Sequence, residues 1–127
     1  MILRTTISSR VLGREETLTI VMPDHLRSIP ERLKVLYLFG AARAESDWWL
    51  RRSFLENEIN MPERDIAAVC LRNDPGTDRE ALIRELNMLL PAQYPLKRGG
   101  TMCMNWNDSE KGLPDRQLAQ TLKEMES

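Results

Sequence analysis

The chain has 127 residues, with 18 basic and 19 acidic side chains, a formal net charge of −1 and 42% hydrophobic residues. That is ordinary globular composition for one core and not that of a disordered chain. The interleaved charges leave no cluster of Lys and Arg for a phosphate backbone, and apolar runs such as Val35-Leu36-Tyr37-Leu38-Phe39 are far too short to cross a bilayer, so neither nucleic acid nor membrane is expected as a partner.

Met1-Ile2-Leu3-Arg4 turns polar at once, without an apolar run ending in a small-residue cleavage site, so no secretory leader is expected. Residues 5–11 and 17–22 alternate apolar and polar positions or nearly so, with Gly13 in the turn between them. That pattern predicts an antiparallel pair near a sheet edge. Residues 34–39 and 65–71 are near-continuous apolar runs, which fit central strands covered on both faces.

Ser46 is placed to cap a helix that carries Trp49, Leu50, Phe54 and Leu55 and fades near Met61-Pro62. Trp48 and Trp49 are adjacent. Helical neighbours point about 100° apart, so one is expected in the core and the other half-covered, at a cleft mouth or in a subunit contact. Thr77-Asp78-Arg79-Glu80 reads as a capping box opening a helix in which Leu82, Leu86 and Leu89 form the apolar stripe. The Gly99-Gly100 pair introduces a weaker fifth strand over residues 101–104. A last helix begins near Pro114 and buries Leu118, Leu122 and Met125.

The order β-β-β-α-β-α-β-α predicts an α/β fold, a three-layer sandwich. Its sheet is expected to have about five mostly parallel strands with an antiparallel N-terminal edge. With no repeat, low-complexity tract or linker, residues 1–127 read as a single domain. Cys70 and Cys103 sit inside apolar runs and read as buried free thiols in a reducing compartment, the cytoplasm. One histidine, His25, and two distant cysteines do not make a zinc site. Asp65, Asp74 and Asp78 would have to gather at one end of the sheet, and Asn73-Asp74-Pro75-Gly76 is already accounted for as a turn. Gly99-Gly100 precedes a strand, whereas a phosphate loop follows one. No metal and no cofactor are expected.

Several segments, in order, resemble a known family. Leu12-Gly13-Arg14-Glu15, a strand and then Pro23 are similar to the first hairpin of the bacterial carboxylesterases typified by tributyrin esterase and the esterase D group. Lys34-Val35-Leu36-Tyr37-Leu38 resembles their third strand, Asp47-Trp48-Trp49-Leu50-Arg51-Arg52 the opening of their first helix, and Glu85-Leu86 with Tyr94-Pro95-Leu96 the helix before the nucleophile strand. The resemblance covers roughly residues 5 to 104 and implies the N-terminal half of an α/β-hydrolase, a truncated version of that fold.

The departures fall on the chemistry. The family's third strand leads into a His-Gly step whose loop supplies an oxyanion-hole N–H; here the stretch is Phe39-Gly40-Ala41-Ala42. The family's serine sits in a Gly-x-Ser-x-Gly elbow; here the place reads Cys103-Met104-Asn105-Trp106-Asn107-Asp108. Depending on register, Asn105 or Trp106 occupies the nucleophile position, and neither forms an acyl-enzyme. Cys103 with His25 would serve as thiolate and base only if both met at an exposed strand end. Ser109 would be a displaced nucleophile, although Asn107-Asp108-Ser109-Glu110 looks more like a polar turn or cap.

The expectation is therefore an esterase-like domain without catalysis, acting through self-association or partner binding, as a homodimer or with a companion protein covering an open sheet edge. The alternative is a hydrolase of short-chain esters with a displaced or subunit-shared site. A third possibility, an unrelated flavodoxin-like binding domain, treats the resemblance as accidental.

Overall fold

The computed structural model describes residues 1–24, 33–41, 43–61, 65–93, 98–105 and 114–126; at 33, 91–93, 98–105, 114 and 126 it describes the backbone. The elements in chain order are β1 (Ile2–Ser9), β2 (Arg14–Val21), β3 (Leu33–Phe39), α1 (Trp48–Arg52), α2 (Leu55–Ile59), β4 (Ile66–Leu71), α3 (Arg79–Gln93), β5 (Arg98–Asn105) and α4 (Pro114–Glu126).

The strands form one sheet in the order β1-β2-β4-β3-β5. β1 with β2 and β2 with β4 are antiparallel, while β3 runs parallel to both β4 and β5. The sheet is thus mixed, with half of its pairings antiparallel, and the expectation of a mostly parallel sheet is corrected. The antiparallel character extends one strand inward of the edge, because β2 joins the apolar centre directly through Thr19, Ile20 and Val21 against Cys70, Val69 and Ala68.

The continuous apolar runs have a simple cause: side chains alternate faces along a strand, and both faces here are covered. Val35, Tyr37 and Phe39 of β3 and Ala67, Val69 and Leu71 of β4 pack with Leu82, Leu86 and Leu90 of α3. The intervening Leu36, Leu38, Ile66, Ala68 and Cys70 pack on the other face with Trp48, Trp49, Leu55, Ile59, Leu118, Leu122 and Met125 from α1, α2 and α4. Two cores, one on each face of the sheet, therefore share its strands. The innermost stripe of α3 ends on Leu90, with Leu89 only partly buried.

The region between β3 and β4 departs from a single capped helix. Ser53 is extended (φ −144°, ψ 170°), and its N–H and Oγ both return to the carbonyl of Trp49, which ends α1 after five residues. Phe54, expected within that one helix, lies at the break as the residue before α2 and is 66% exposed. Asp47, not Ser46, is the residue before α1; the Ser46 hydroxyl instead lies 3.0 Å from that of Thr19. At α3 the cap moves by one residue from the expected box: Asp78 Oδ1 accepts from the Ala81 N–H at 3.1 Å, which makes Asp78 the capping side chain. Gly99 and Gly100 lie within β5, where the register against β3 slips between Leu33 and Lys34.

The β1–β2 turn is held from a distance. Gly13 takes φ +67°, a conformation that favours glycine. Glu85 of α3 receives the Ser9 hydroxyl at 2.5 Å and the N–H groups of Arg10 and Val11 at 2.8 and 3.2 Å.

Candidate functional site

In open α/β sheets, ligand sites form beyond the carboxyl ends of parallel strands. Here that place is defined by the ends of β3, β4 and β5. The β3–β5 register pairs Tyr37 with Cys103, Leu38 with Met104 and Phe39 with Asn105. Cys103, Met104 and Asn105 at the end of β5 are therefore beside Tyr37, Leu38 and Phe39, which lead into the loop after β3.

The loop after β3 is closed down on the loop after β4, and Asn73 is the fastener. Asn73 is buried, and its backbone N–H donates to the Ala44 carbonyl at 3.3 Å while its carbonyl accepts from the Arg43 N–H at 2.5 Å. Its side-chain Nδ2 donates to the carbonyl of Gly40 at 2.7 Å, and Oδ1 accepts from Arg79 Nη2 at 2.6 Å. Arg79 also lies over the ring of Phe39, 5.1 Å from its centroid. Ala44 N–H donates to the Ala41 carbonyl at 2.9 Å, and Arg43 takes φ 65° to make this tight path.

Gly40 is set by packing. A Cβ there would lie 2.8 Å from Cγ and Cδ2 of Trp48, so the ring of Trp48 rests on the bare backbone of the loop. Trp48 and Trp49 meet edge to face, with centroids 5.0 Å apart and planes at 81°. Both are buried, at 9% and 1% exposure. The expectation that one would be half-covered is corrected: a helix this short lies wedged between sheet and loop, so two adjacent directions both meet protein.

Charged side chains ring the outside of this clasp. Arg72 Nε pairs with Asp74 at 2.9 Å and Arg72 Nη1 with Glu45 at 3.2 Å, and Arg14 of β2 also pairs with Asp74. Burial pushes the Asp74 carboxyl up, but its hydrogen bonds and charge pairing with Arg72 and Arg14 outweigh that and hold it below its ordinary value. Hydrogen bonding and charge from Asp74, then Glu45, raise Arg72. Asp74 is thus engaged with arginines at its turn.

Of the residues singled out from sequence, Phe39, Gly40 and Ala41 are placed in the clasped loop, and Cys103, Met104 and Asn105 lie on the β5 backbone. His25, Trp106, Asn107 and Ser109 lie outside the described residues, so the Cys103–His25 pair and the Ser109 site are not brought together or separated. Cys70 is a free, fully buried thiol, and burial pushes it up to about 12. Such a group is no nucleophile at neutral pH. Sequence reasoning missed Asn73 and Glu85 as organising residues. Asn73 reads as a turn former, and only its burial reveals the role of its side chain.

An oxyanion hole needs backbone N–H groups aimed at open space. In this loop the Arg43 and Ala44 N–H groups are both directed at internal carbonyls.

No family model matches the chain, and no curated protein sequence matches it. Solved structures do. The chain is similar to the substrate-bound fluorophosphonate-binding serine hydrolase F of Staphylococcus aureus, at 18% identity and a TM-score of 0.64. It is similar to the S-formylglutathione hydrolase of Staphylococcus aureus without ligand, at 18% identity and 0.65, and to a ferulic acid esterase at 16% and 0.61. Each alignment covers 83% of this chain and 46%, 46% and 49% of the respective neighbour. The chain thus shares the fold of about half of each of these proteins and spans about half the length of each.

Proposed function

We propose that this chain is an esterase-fold domain that has given up acyl transfer and works by association, as a homodimer or with a companion polypeptide. In this reading residues 1–127 form one domain, kin to the tributyrin esterase and esterase D group, in the reducing setting of the cytoplasm, where a free buried Cys70 is at home. The observation that carries it is the clasp at the strand ends. The loop after β3, which in an acyl-transfer enzyme of this architecture would present an oxyanion donor, turns its Arg43 and Ala44 N–H groups inward and is tied to Asn73. The strand beside it leads into Met104-Asn105-Trp106-Asn107 in place of a serine elbow. β5 has β3 on one side and no described strand on the other, which supports an edge open to a further chain.

The test is hydrolysis of short-chain p-nitrophenyl esters together with covalent labelling by a fluorophosphonate, on the parent protein and on Ser109→Ala, Cys103→Ala and His25→Ala. Folded protein is expected to show no turnover above background and no label. Turnover abolished by one of the three substitutions would overturn the reading and establish a displaced or subunit-shared hydrolase site.

A further inference from the structure

β2 has two unequal neighbours. Its pairing with β1 is unbroken from Val21 back to Arg14, whereas its pairing with β4 covers Thr19, Ile20 and Val21 alone. From Leu18 back to Arg14 it has β1 on one side and, among the described residues, no strand on the other. Residues 5–9 and 14–18 thus form a two-stranded arm of five residue pairs that runs past the carboxyl end of β4. At strand spacing it is about 17 Å long, and a lone ribbon of two strands is only marginally stable in water.

The arm is therefore held by what lies outside it. Its underside, Ile7 and Leu18 with the partly buried Leu12 of the turn, packs in the core that includes Leu82 and Leu86 of α3. Its tip is gripped twice, by carboxylates from two different elements. Glu85 of α3 receives the Ser9 hydroxyl and the N–H groups of Arg10 and Val11, where β1 ends. Asp74, in the turn after β4, receives Arg14, where β2 begins. Ser9 and Arg14 are the last pair of the ladder, so each strand has its own latch at the same end. The base is fixed differently: Thr19 starts the pairing with β4, and its hydroxyl lies 3.0 Å from that of Ser46. We propose that the arm is a strap hinged where β2 leaves β4, between Leu18 and Thr19, which lifts from α3 as one piece when its two carboxylate latches let go. Lifting keeps the bonds between the two strands and leaves the sheet from Thr19 inward intact. It breaks only the latches and the apolar contacts beneath, and it uncovers Leu82 and Leu86. The device is independent of whether the chain is catalytic and of how it associates.

The experiment is native-state amide exchange in a series of low urea concentrations, on the parent protein, Asp74→Asn and Arg14→Gln. The reporters are the Arg10 and Val11 amides, set against those of Leu36 and Val69 in the centre of the sheet. In the parent protein Arg10 and Val11 should exchange at least about tenfold faster than the central pair. Their rates should also rise less steeply with urea, because lifting the arm exposes less surface than unfolding does. Asp74 touches neither reporter, yet its loss should quicken both about threefold or more, since it frees the other strand of the same piece. Arg14→Gln removes that tie from its other end and decides the matter if Asp74→Asn fails to fold. Reporters as slow as Leu36 and Val69 would show that the arm leaves only when the whole chain unfolds, which overturns the inference. Fast reporters indifferent to both substitutions would overturn it too, because then the turn frays alone and the arm is not one piece.

Discussion

The side-chain amide of Asn73 reaches across the ends of two neighbouring strands to the carbonyl of Gly40, 2.7 Å from its Nδ2. Both groups are buried, and the loop carbonyl depends on that donor. Replacing Asn73 by Ala strands the Gly40 carbonyl and removes the acceptor of Arg79, so a loss of about 1–3 kcal/mol is expected in urea denaturation. Amide exchange at Arg43, whose N–H rests on the Asn73 carbonyl, should quicken in the same variant as the clasp loosens. Unchanged stability and exchange would show that the loop is held by other means.

Gly40→Ala tests the packing of the clasp. The new methyl would fall 2.8 Å from the ring of Trp48 and 2.9 Å from its Cβ, so the ring must shift within a filled core. Overpacking of this kind costs about 1–3 kcal/mol. Because Trp48 is locked edge to face with Trp49, near-ultraviolet circular dichroism should change along with the denaturation midpoint.

Glu85 makes stability depend on acid. Partial burial raises its carboxyl, but hydrogen bonds from Ser9, Arg10 and Val11, together with the charge of Arg10, hold it below its ordinary value of 4.5. A carboxyl lowered by folding stabilises fully above its unfolded value, and that contribution is lost as pH falls through the folded value. Stability should therefore begin to fall below about pH 4.5, with Asp74 adding its share below its ordinary 3.8. Glu85→Gln should cost about 1–2 kcal/mol at neutral pH and flatten the acid limb, as read from denaturation midpoints against pH.

Cys70 should be silent toward a disulfide reagent at pH 8 in the native protein and react fully once unfolded. Burial lifts its thiol to about 12 and also bars access. Cys103→Ala isolates the response. Rapid native labelling of Cys70 in that variant would contradict the packing of the core between β4 and α1.

Much of this architecture is written locally. Gly13 marks the hairpin turn and takes positive φ, and the Leu118, Leu122 and Met125 stripe is the buried face of α4. Both are short-range patterns that a reader of residues can see. What escaped depends on distant partners. The Ser46 hydroxyl goes to Thr19, across 27 positions, and not to a helix start, and Asn73 reads as a turn until Gly40 and Arg79 are seen around it. The depth of the antiparallel region depends on which strand β2 chooses as its inner neighbour, and no local pattern encodes that choice. At the candidate site the clasped loop became visible only in three dimensions, while residues 106–109, where the sequence suggested a degenerate elbow, lie outside the described residues.

The tie between Glu85 and the β1–β2 turn spans 74 to 76 positions, and this has a consequence for the order of folding. The hairpin closes through near neighbours and can assemble in microseconds, whereas its anchor exists only after β4 has docked beside β2 and α3 has laid across them. Glu85 thus acts as a latch set late. Its removal should leave the refolding rate nearly unchanged and speed unfolding, with a φ-value near zero. The residue that secures the front of the chain is then a determinant of how long the native state lasts and not of how quickly it is found.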